Sequence, residues 1–423
     1  MKLRPLFILL AVLTLSATVR SAPGTLIPRP QEATRLDGQF VFTTGIPVVY
    51  ASGLEPLAEY IADYIPLQRL DDRTWTAGAA LRLSLDGTMD DESYRLTVTP
   101  QGVQVVGADY GGVFNGLQTL LQLLPPEVYT GQATLPLTVD ACRIEDAPRF
   151  HYRGMMLDVV RTWMDADRVK RHIDLLSHLK INKLHLLLSN DEGWRLEIKS
   201  HPELTEIGAW RGGDSPVMPV YGKWDEKYGG FYTQDEMRDL IRYAAVRNVE
   251  IIPELDLPGH SRNFARVHPE ILCDYTPDLR PTAGYDYRSV WCASREENYR
   301  LLADILGELA ALFPSEYLHI GGDEVDMSQW EKCPNCRVLM AREGMADGHA
   351  LEQYFLGRLT RILEANGKRP AVWNEAIEGG ELARSTRVHG WESVKACLDA
   401  TAAGYRTVVM PGQYFYFDMR QSP

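Results

Sequence analysis

The sequence predicts a (β/α)8 barrel of the TIM type preceded by a small α+β domain, and three observations carry that reading. From about residue 148 onward, short apolar strands alternate with amphipathic helices, the rhythm of a parallel sheet covered on both faces. Polar residues recur just past the C-terminal ends of those strands, where barrel chemistry sits. No Gly-rich phosphate loop follows the first of them, which counts against a doubly wound open sheet.

Residues 1–22 read as a secretory signal peptide. Lys2 and Arg4 precede an apolar run from Leu6 to Leu15, followed by small residues from Ala17 to Ala22, and the run is too short to span a bilayer. The expected destination is the periplasm or the exterior. Residues 23–147 read as the α+β domain. Gln39–Phe42, Ala80–Leu85, Tyr94–Val98 and Gly102–Val106 alternate as half-buried strands do, and Leu54–Tyr64 and Gly111–Leu124 are periodic as helices.

Residues 148–423 read as the barrel. Strand Arg153–Asp158 leads to helix Asp167–Lys180 and strand Lys183–Leu188, and a loop of some forty residues follows, long enough to suggest function. Thr233 and Glu236 form a capping box for a helix running to Asn248. Strand Glu250–Glu254, helix Glu296–Phe313 and a strand from Tyr317 come next, then strands Arg369–Trp373, Thr386–His389 and Arg406–Met410. That makes seven strands. An eighth strand and its helix are missing before Pro423, so the expectation is a barrel incomplete at its C-terminus, a truncated product.

Composition narrows the partners. The net charge of -13, with no basic block to offset it, excludes nucleic acid, and no second apolar stretch reaches membrane length. Export makes the six cysteines candidates for disulfides. Cys273 and Cys292 suit a loop staple. Cys333 and Cys336 form a lone CxxC without two further ligands in view, so a disulfide is preferred to a metal there, and Cys142 and Cys397 have no evident partners.

The rim residues decide the chemistry. In order they are Asp158 and Arg161, then Asn190 to Trp194, then Glu254, Asp256 and His260, then Asp323 and Glu324. Trp373 with Glu375, Trp391 with Glu392, and Tyr414 to Asp418 complete the ring. Carboxylates, one arginine, one histidine and several aromatics suit a sugar: flat rings stack on its C–H faces while charged groups orient its hydroxyls. A phosphate would call for more cations, and neither GxSxG nor HExxH occurs. Nothing calls for a metal or an organic cofactor.

Four stretches, His319–Glu324, Pro253–His260, Arg153–Arg161 and Asn190–Arg195, resemble the motifs of bacterial β-N-acetylhexosaminidases of glycoside hydrolase family 20, and the resemblance runs from about Leu26 to the end. It implies an exo-acting, retaining enzyme whose nucleophile is the substrate's own 2-acetamido oxygen. Glu324 is then the general acid and base, and Asp323 the group that holds the acetamido N–H. Of two acids in one pocket, one should keep its proton, and Glu324 is expected to be that one. His260 with Asp256 resembles the pair supporting the acid/base. Arg161 and Asp191 match residues that grip the sugar, Trp373 and Trp391 match walls of the acetamido pocket, and Tyr416 with Asp418 matches the Tyr-x-Asp that closes on it. Tyr414 competes with Tyr416, and the spacing to Asp418 favours Tyr416. Thr162 and Trp163 stand where relatives carry a histidine and an aromatic residue, and the tryptophan and glutamate of the family's last strand are absent. The substrate implied is an oligosaccharide or glycoconjugate ending in N-acetylglucosamine or N-acetylgalactosamine. Two alternatives stand beside this reading: a two-carboxylate retaining glycosidase using Glu254 and Glu324, and a truncated amino-sugar-binding protein without catalysis.

Overall fold

The structure, a computed structural model, describes residues 25–213, 225–274, 290–380 and 382–418. The signal peptide read at residues 1–22 lies outside them. The chain divides into two compact units, residues 1–149 and 150–423.

The first unit is one seven-stranded mixed sheet. Its strands are β1 (Glu32–Phe42), β2 (Pro47–Tyr50), β3 (Gln68–Asp71), β4 (Leu81–Leu85), β5 (Tyr94–Thr99), β6 (Gly102–Gly107) and β7 (Leu137–Asp146), in spatial order β1-β7-β5-β6-β4-β2-β3. Strict alternation buries Tyr94, Leu96 and Val98 on one face of β5. Helix Tyr110–Leu123 covers the sheet with Val113, Phe114, Leu117, Leu120 and Leu121, and Asp109 caps it by accepting from the Gly112 N–H at 2.8 Å. The sequence pattern missed β2, β3 and β7. Two of these have only four residues, and β7 buries Leu137, Val139, Ala141 and Ile144 among acidic neighbours that mask the alternation.

In the second unit seven parallel strands pair in chain order. They are β8 (Gly154–Asp158), β9 (Lys183–Asn190), β13 (Glu250–Leu257), β14 (Tyr317–Gly321), β15 (Arg369–Trp373), β16 (Arg387–Gly390) and β17 (Arg406–Val409). The forty-residue loop after β9 carries three two-residue strands, β10 (Gly193–Trp194), β11 (Trp210–Arg211) and β12 (Tyr228–Gly229). Helices Ala166–His178, Gln234–Val246, Glu296–Leu312 and Gly348–Ala365 follow successive parallel strands, as in the barrel expected, and their apolar faces enter one continuous core. The capping box of Thr233 and Glu236 is formed, each side chain bonding the other's backbone N–H at 3.1 and 2.8 Å. Among the described residues no helix is long and apolar enough to cross a membrane.

The cysteines correct a sequence expectation. All six are buried and none is in a disulfide, and Cys273, Cys292, Cys333 and Cys336 meet in one cluster rather than as two local pairs. Proximity along the chain hid this. The fold sets the segment after β13 against the segment after β14.

Candidate active site

The end of β14 sets the geometry. Gly321 and Gly322 turn the chain at φ +70° and +87°, and the Gly322 N–H donates to the Leu257 carbonyl at 2.8 Å. A Cβ at residue 321 would lie 2.5 Å from Asp256 Oδ1 and 2.6 Å from the Leu257 nitrogen, so only glycine fits there. The turn leaves Glu324 itself at φ +48°, and His260 opposite stands at φ +44°. A non-glycine residue in this region costs about 1 kcal/mol. The surrounding strands hold both: the Glu324 N–H donates to Glu375 Oε1 at 3.2 Å, and His260 is tied down through its ring.

A chain of charged groups runs through that ring. His260 Nδ1 is 3.0 Å from Asp191 Oδ2, and its Nε2 is 3.2 Å from Glu324 Oε2 and 3.6 Å from Asp323 Oδ2. Asp191 also accepts from the Arg262 N–H at 3.0 Å, and it is buried. The carboxylate bonded to His260 is therefore Asp191, where the resemblance had paired His260 with Asp256. Asp191 faces inward and orients the imidazole; it is not positioned as a hydroxyl-gripping surface group.

Asp256 has another task. One Oδ accepts from Asn190 Nδ2 at 2.8 Å, and the carboxyl is pushed well above its ordinary range, first by burial and then by the charge of Asp323. That shift favours its protonated form, which can donate towards Asp323. Asp323 is also raised, by burial foremost, although His260 and the Asp256 hydrogen bond pull it down. His260 is pushed well above the usual imidazole range: burial opposes its charge, but Asp256, Asp191, Glu324 and Asp323 outweigh burial. Glu324 is held below its ordinary value, chiefly by the hydrogen bond from His260. This corrects the expectation for the retained proton. In the free site the proton affinity is raised at Asp256 and His260 and lowered at Glu324.

Beneath the rim lies a polar floor that the sequence reading did not identify. Glu254 is fully buried and accepts from Trp373 Nε1 at 2.8 Å; His185 Nε2 and His319 Nδ1 stand 2.9 and 3.1 Å from its oxygens. Burial alone would raise Glu254, but His319 and His185 hold it well below the carboxylate range. His389 completes the layer, its ring 4.8 Å from that of His319. Consecutive strands β9, β13, β14, β15 and β16 each supply one of these inward side chains, as barrel interiors are filled. Between Glu254 and Leu257 the register against β14 slips by one residue, a bulge that re-aims the chain between Glu254 in the floor and Asp256 beneath the β14 turn. The alternative with Glu254 as nucleophile fails on this ground: its oxygens are committed inside the barrel. Trp373 is only 5% exposed and belongs to the same floor.

The remaining rim residues are placed as follows. Arg161 is half-buried; its Nη1 donates to Asp158 Oδ2 at 2.8 Å, its Nε lies 3.8 Å from Glu192 Oε2, and its charge lowers Glu324. The loop carrying it hangs on a buried residue whose role the sequence did not disclose. Arg195 donates to the carbonyls of Val159, Val160, Ala209 and Gly230 at 2.6–3.2 Å. Trp163 turns away to pack on Tyr232, ring centroids 4.7 Å apart. Trp391 stacks on Tyr416 at 6.2 Å and 17°, and its Nε1 donates to Glu375 Oε2 at 3.0 Å. Glu375 thereby joins an aromatic wall to the backbone of Glu324, and burial followed by the Asp323 charge lifts its carboxyl to about 7. Burial raises Tyr416 too, with Asp323 next among the causes, while Asp418 and Tyr414 are exposed.

Comparison with known proteins agrees with this arrangement. Residues 150–423 match the model of the glycosyl hydrolase family 20 catalytic domain, and residues 24–147 match domain 2 of the same family. The chain belongs to glycosyl hydrolase family 20. Among its family-20 relatives, a β-hexosaminidase of Vibrio furnissii is 39% identical over 406 residues, covering 95% of this chain and 65% of that protein. A β-hexosaminidase of Porphyromonas gingivalis is 35% identical over 92% of this chain and 50% of its own length. A family-20 exo β-N-acetylglucosaminidase of Vibrio harveyi, solved with N-acetylglucosamine, superposes with a TM-score of 0.86 at 35% identity, covering 95% of this chain and 63% of that one. The chain thus spans between half and about two thirds of the length of these relatives.

Proposed function

We propose that this family-20 chain carries the catalytic centre of an exported, exo-acting β-N-acetylhexosaminidase that removes terminal N-acetylhexosamine from glycans with retention of configuration. The observation that carries the reading is the linear set Asp191, His260, Glu324 beside Asp323, with the other deep carboxylate, Glu254, locked out of reach. With Glu254 buried in the floor and Asp323 placed to hold the acetamido group, the substrate's own acetamido oxygen is the attacking group. It attacks the anomeric carbon as the glycosidic bond breaks, and Glu324 delivers a proton to the leaving oxygen. Asp323, whose carboxyl burial raises and His260 and the Asp256 hydrogen bond pull down, accepts from the acetamido N–H as positive charge grows on that group. Glu324 then takes a proton from the water that opens the cyclised intermediate.

The proton supply follows from the electrostatics. In the free site His260, with its proton affinity raised, lies 3.2 Å from a carboxylate that is 41% exposed. A sugar ring over Glu324 removes its water, and desolvation raises its affinity for the proton. The proton then crosses to Glu324, ready for the leaving group. Arg161 holds outer hydroxyls, and Trp391 with Tyr416 closes the acetamido side, supported by their stacked geometry. The apolar run at residues 6–15 supports export to the periplasm or beyond.

The test compares an aryl N-acetyl-β-glucosaminide with the matching aryl β-glucoside. Turnover of the first alone, abolished by Glu324→Gln and inhibited by a thiazoline mimic of the cyclised intermediate, is the expected result. Comparable turnover of both sugars overturns acetamido participation. Binding of N-acetylglucosamine without turnover by the folded chain favours the sugar-binding alternative.

A further inference from the structure

We propose that Cys273, Cys292, Cys333 and Cys336 form a tetrathiolate site for a structural zinc ion behind the catalytic turn. Each offers one sulfur, and the four sulfurs lie within 4.8 Å of one another in a wholly buried cluster. Cys336 Sγ stands 3.6 Å from Cys292 Sγ and 3.9 Å from Cys273 Sγ. Zinc–thiolate bonds of about 2.3 Å in a tetrahedron set sulfur–sulfur edges of about 3.8 Å. A disulfide requires about 2.0 Å between sulfurs, so these separations match a shared cation and not a pair of covalent bonds.

The surrounding residues support the assignment. Four buried thiols offer one another only weak S–H hydrogen bonds, a poor return for placing them together in the core. As thiolates around a divalent cation they are satisfied, and a closed S4 set with no vacant position is the structural rather than the catalytic kind of zinc site. Cys333 is the N-cap residue and Cys336 lies in the first turn of helix Pro334–Glu343, where the helix dipole favours thiolate. The other two ligands flank the antiparallel bridge between Leu272 and Trp291, each one residue beyond it in its own segment.

The site would pin the segment after β13 to the segment after β14. Trp291 transmits the constraint: its N–H donates to the Pro258 carbonyl at 3.2 Å and its Nε1 to Ser261 Oγ at 2.9 Å, on either side of His260. Trp330, beside Cys333, donates to the Trp291 carbonyl at 2.9 Å. The cation thus backs the turn that holds His260 in its left-handed conformation.

The test is metal and thiol analysis of the purified full chain. One equivalent of zinc is expected, released together with four titratable thiols by a mercurial reagent. Cys336→Ser should lower bound zinc at least about tenfold, while Cys397→Ser leaves it unchanged. If Cys336→Ser does not fold, cobalt exchanged into the unaltered chain reads the ligands directly, since four thiolates give intense sulfur-to-cobalt charge transfer. A chain free of zinc whose mass lacks the four hydrogens lost to two disulfides overturns the proposal. So does a chain with four free thiols that takes up no zinc or cobalt.

Discussion

Glu352 offers the sharpest test of the electrostatics behind the site. It lies on helix Gly348–Ala365, only 3% exposed, and its carboxyl is pushed from 4.5 up to about 9 by burial and then by the charges of Glu375 and Asp323. At pH 7 the unfolded chain ionises this group while the folded chain retains its proton. Because the folded pKa is raised, the contribution of this group to stability is highest below pH 4.5 and falls as pH rises towards about 9. From pH 4.5 to 7 the span is 2.5 pH units, at about 1.4 kcal/mol each, or about 3 kcal/mol lost. Glu352→Gln keeps the shape without the titration, so it should stabilise the second unit by about 3 kcal/mol at pH 7 and by close to nothing at pH 4. Urea denaturation followed by tryptophan fluorescence reads this unit, since every tryptophan except Trp75 lies in it. A variant whose advantage is the same at both pH values, or absent at pH 7, would refute the neutral buried carboxyl and the crowding of negative charge inferred around Asp323.

Further expectations concern the proton reservoir, the loop clamp and the turn. Asp191→Asn removes an anion bonded to His260, lowering the imidazole pKa; protonated His260 is then lost at lower pH, and the alkaline limb of kcat/KM should move acidward by about one unit. An unmoved limb would show that the proton comes from elsewhere. Arg195→Lys replaces a planar fork serving four carbonyls with one ammonium, which should destabilise by about 1–3 kcal/mol and raise KM more than it lowers kcat, because the loop of Arg161 loosens. Gly321→Ala forces a methyl against Asp256 and the Leu257 backbone at φ +70°, and thermal denaturation should show a loss of about 2 kcal/mol or more.

The sequence by itself carried the rhythm of the barrel, because the hydrophobic period changes where the fold changes and each strand announces its end with polar residues. It also pointed to Asp323, Glu324, His260, Arg161 and Trp391 as a set, because each lies just past a strand end in a contiguous motif. Pairing was not legible. Asp191 and Asp256 are both acids near strand ends, yet only the packing of β9 against β13 decides that one bonds His260 while the other accepts from Asn190 with its carboxyl raised by burial. Glu254 looked like a rim acid until a bulge in β13 separated it from Asp256 and closed the floor over it with His185, His319 and Trp373. The cysteines teach the same lesson at longer range, since 44 residues separate Cys292 from a sulfur 3.6 Å away. Periodicity is a property of neighbours along the chain, whereas hydrogen bonds, desolvation and shared protons depend on distances between strands that only tertiary packing sets.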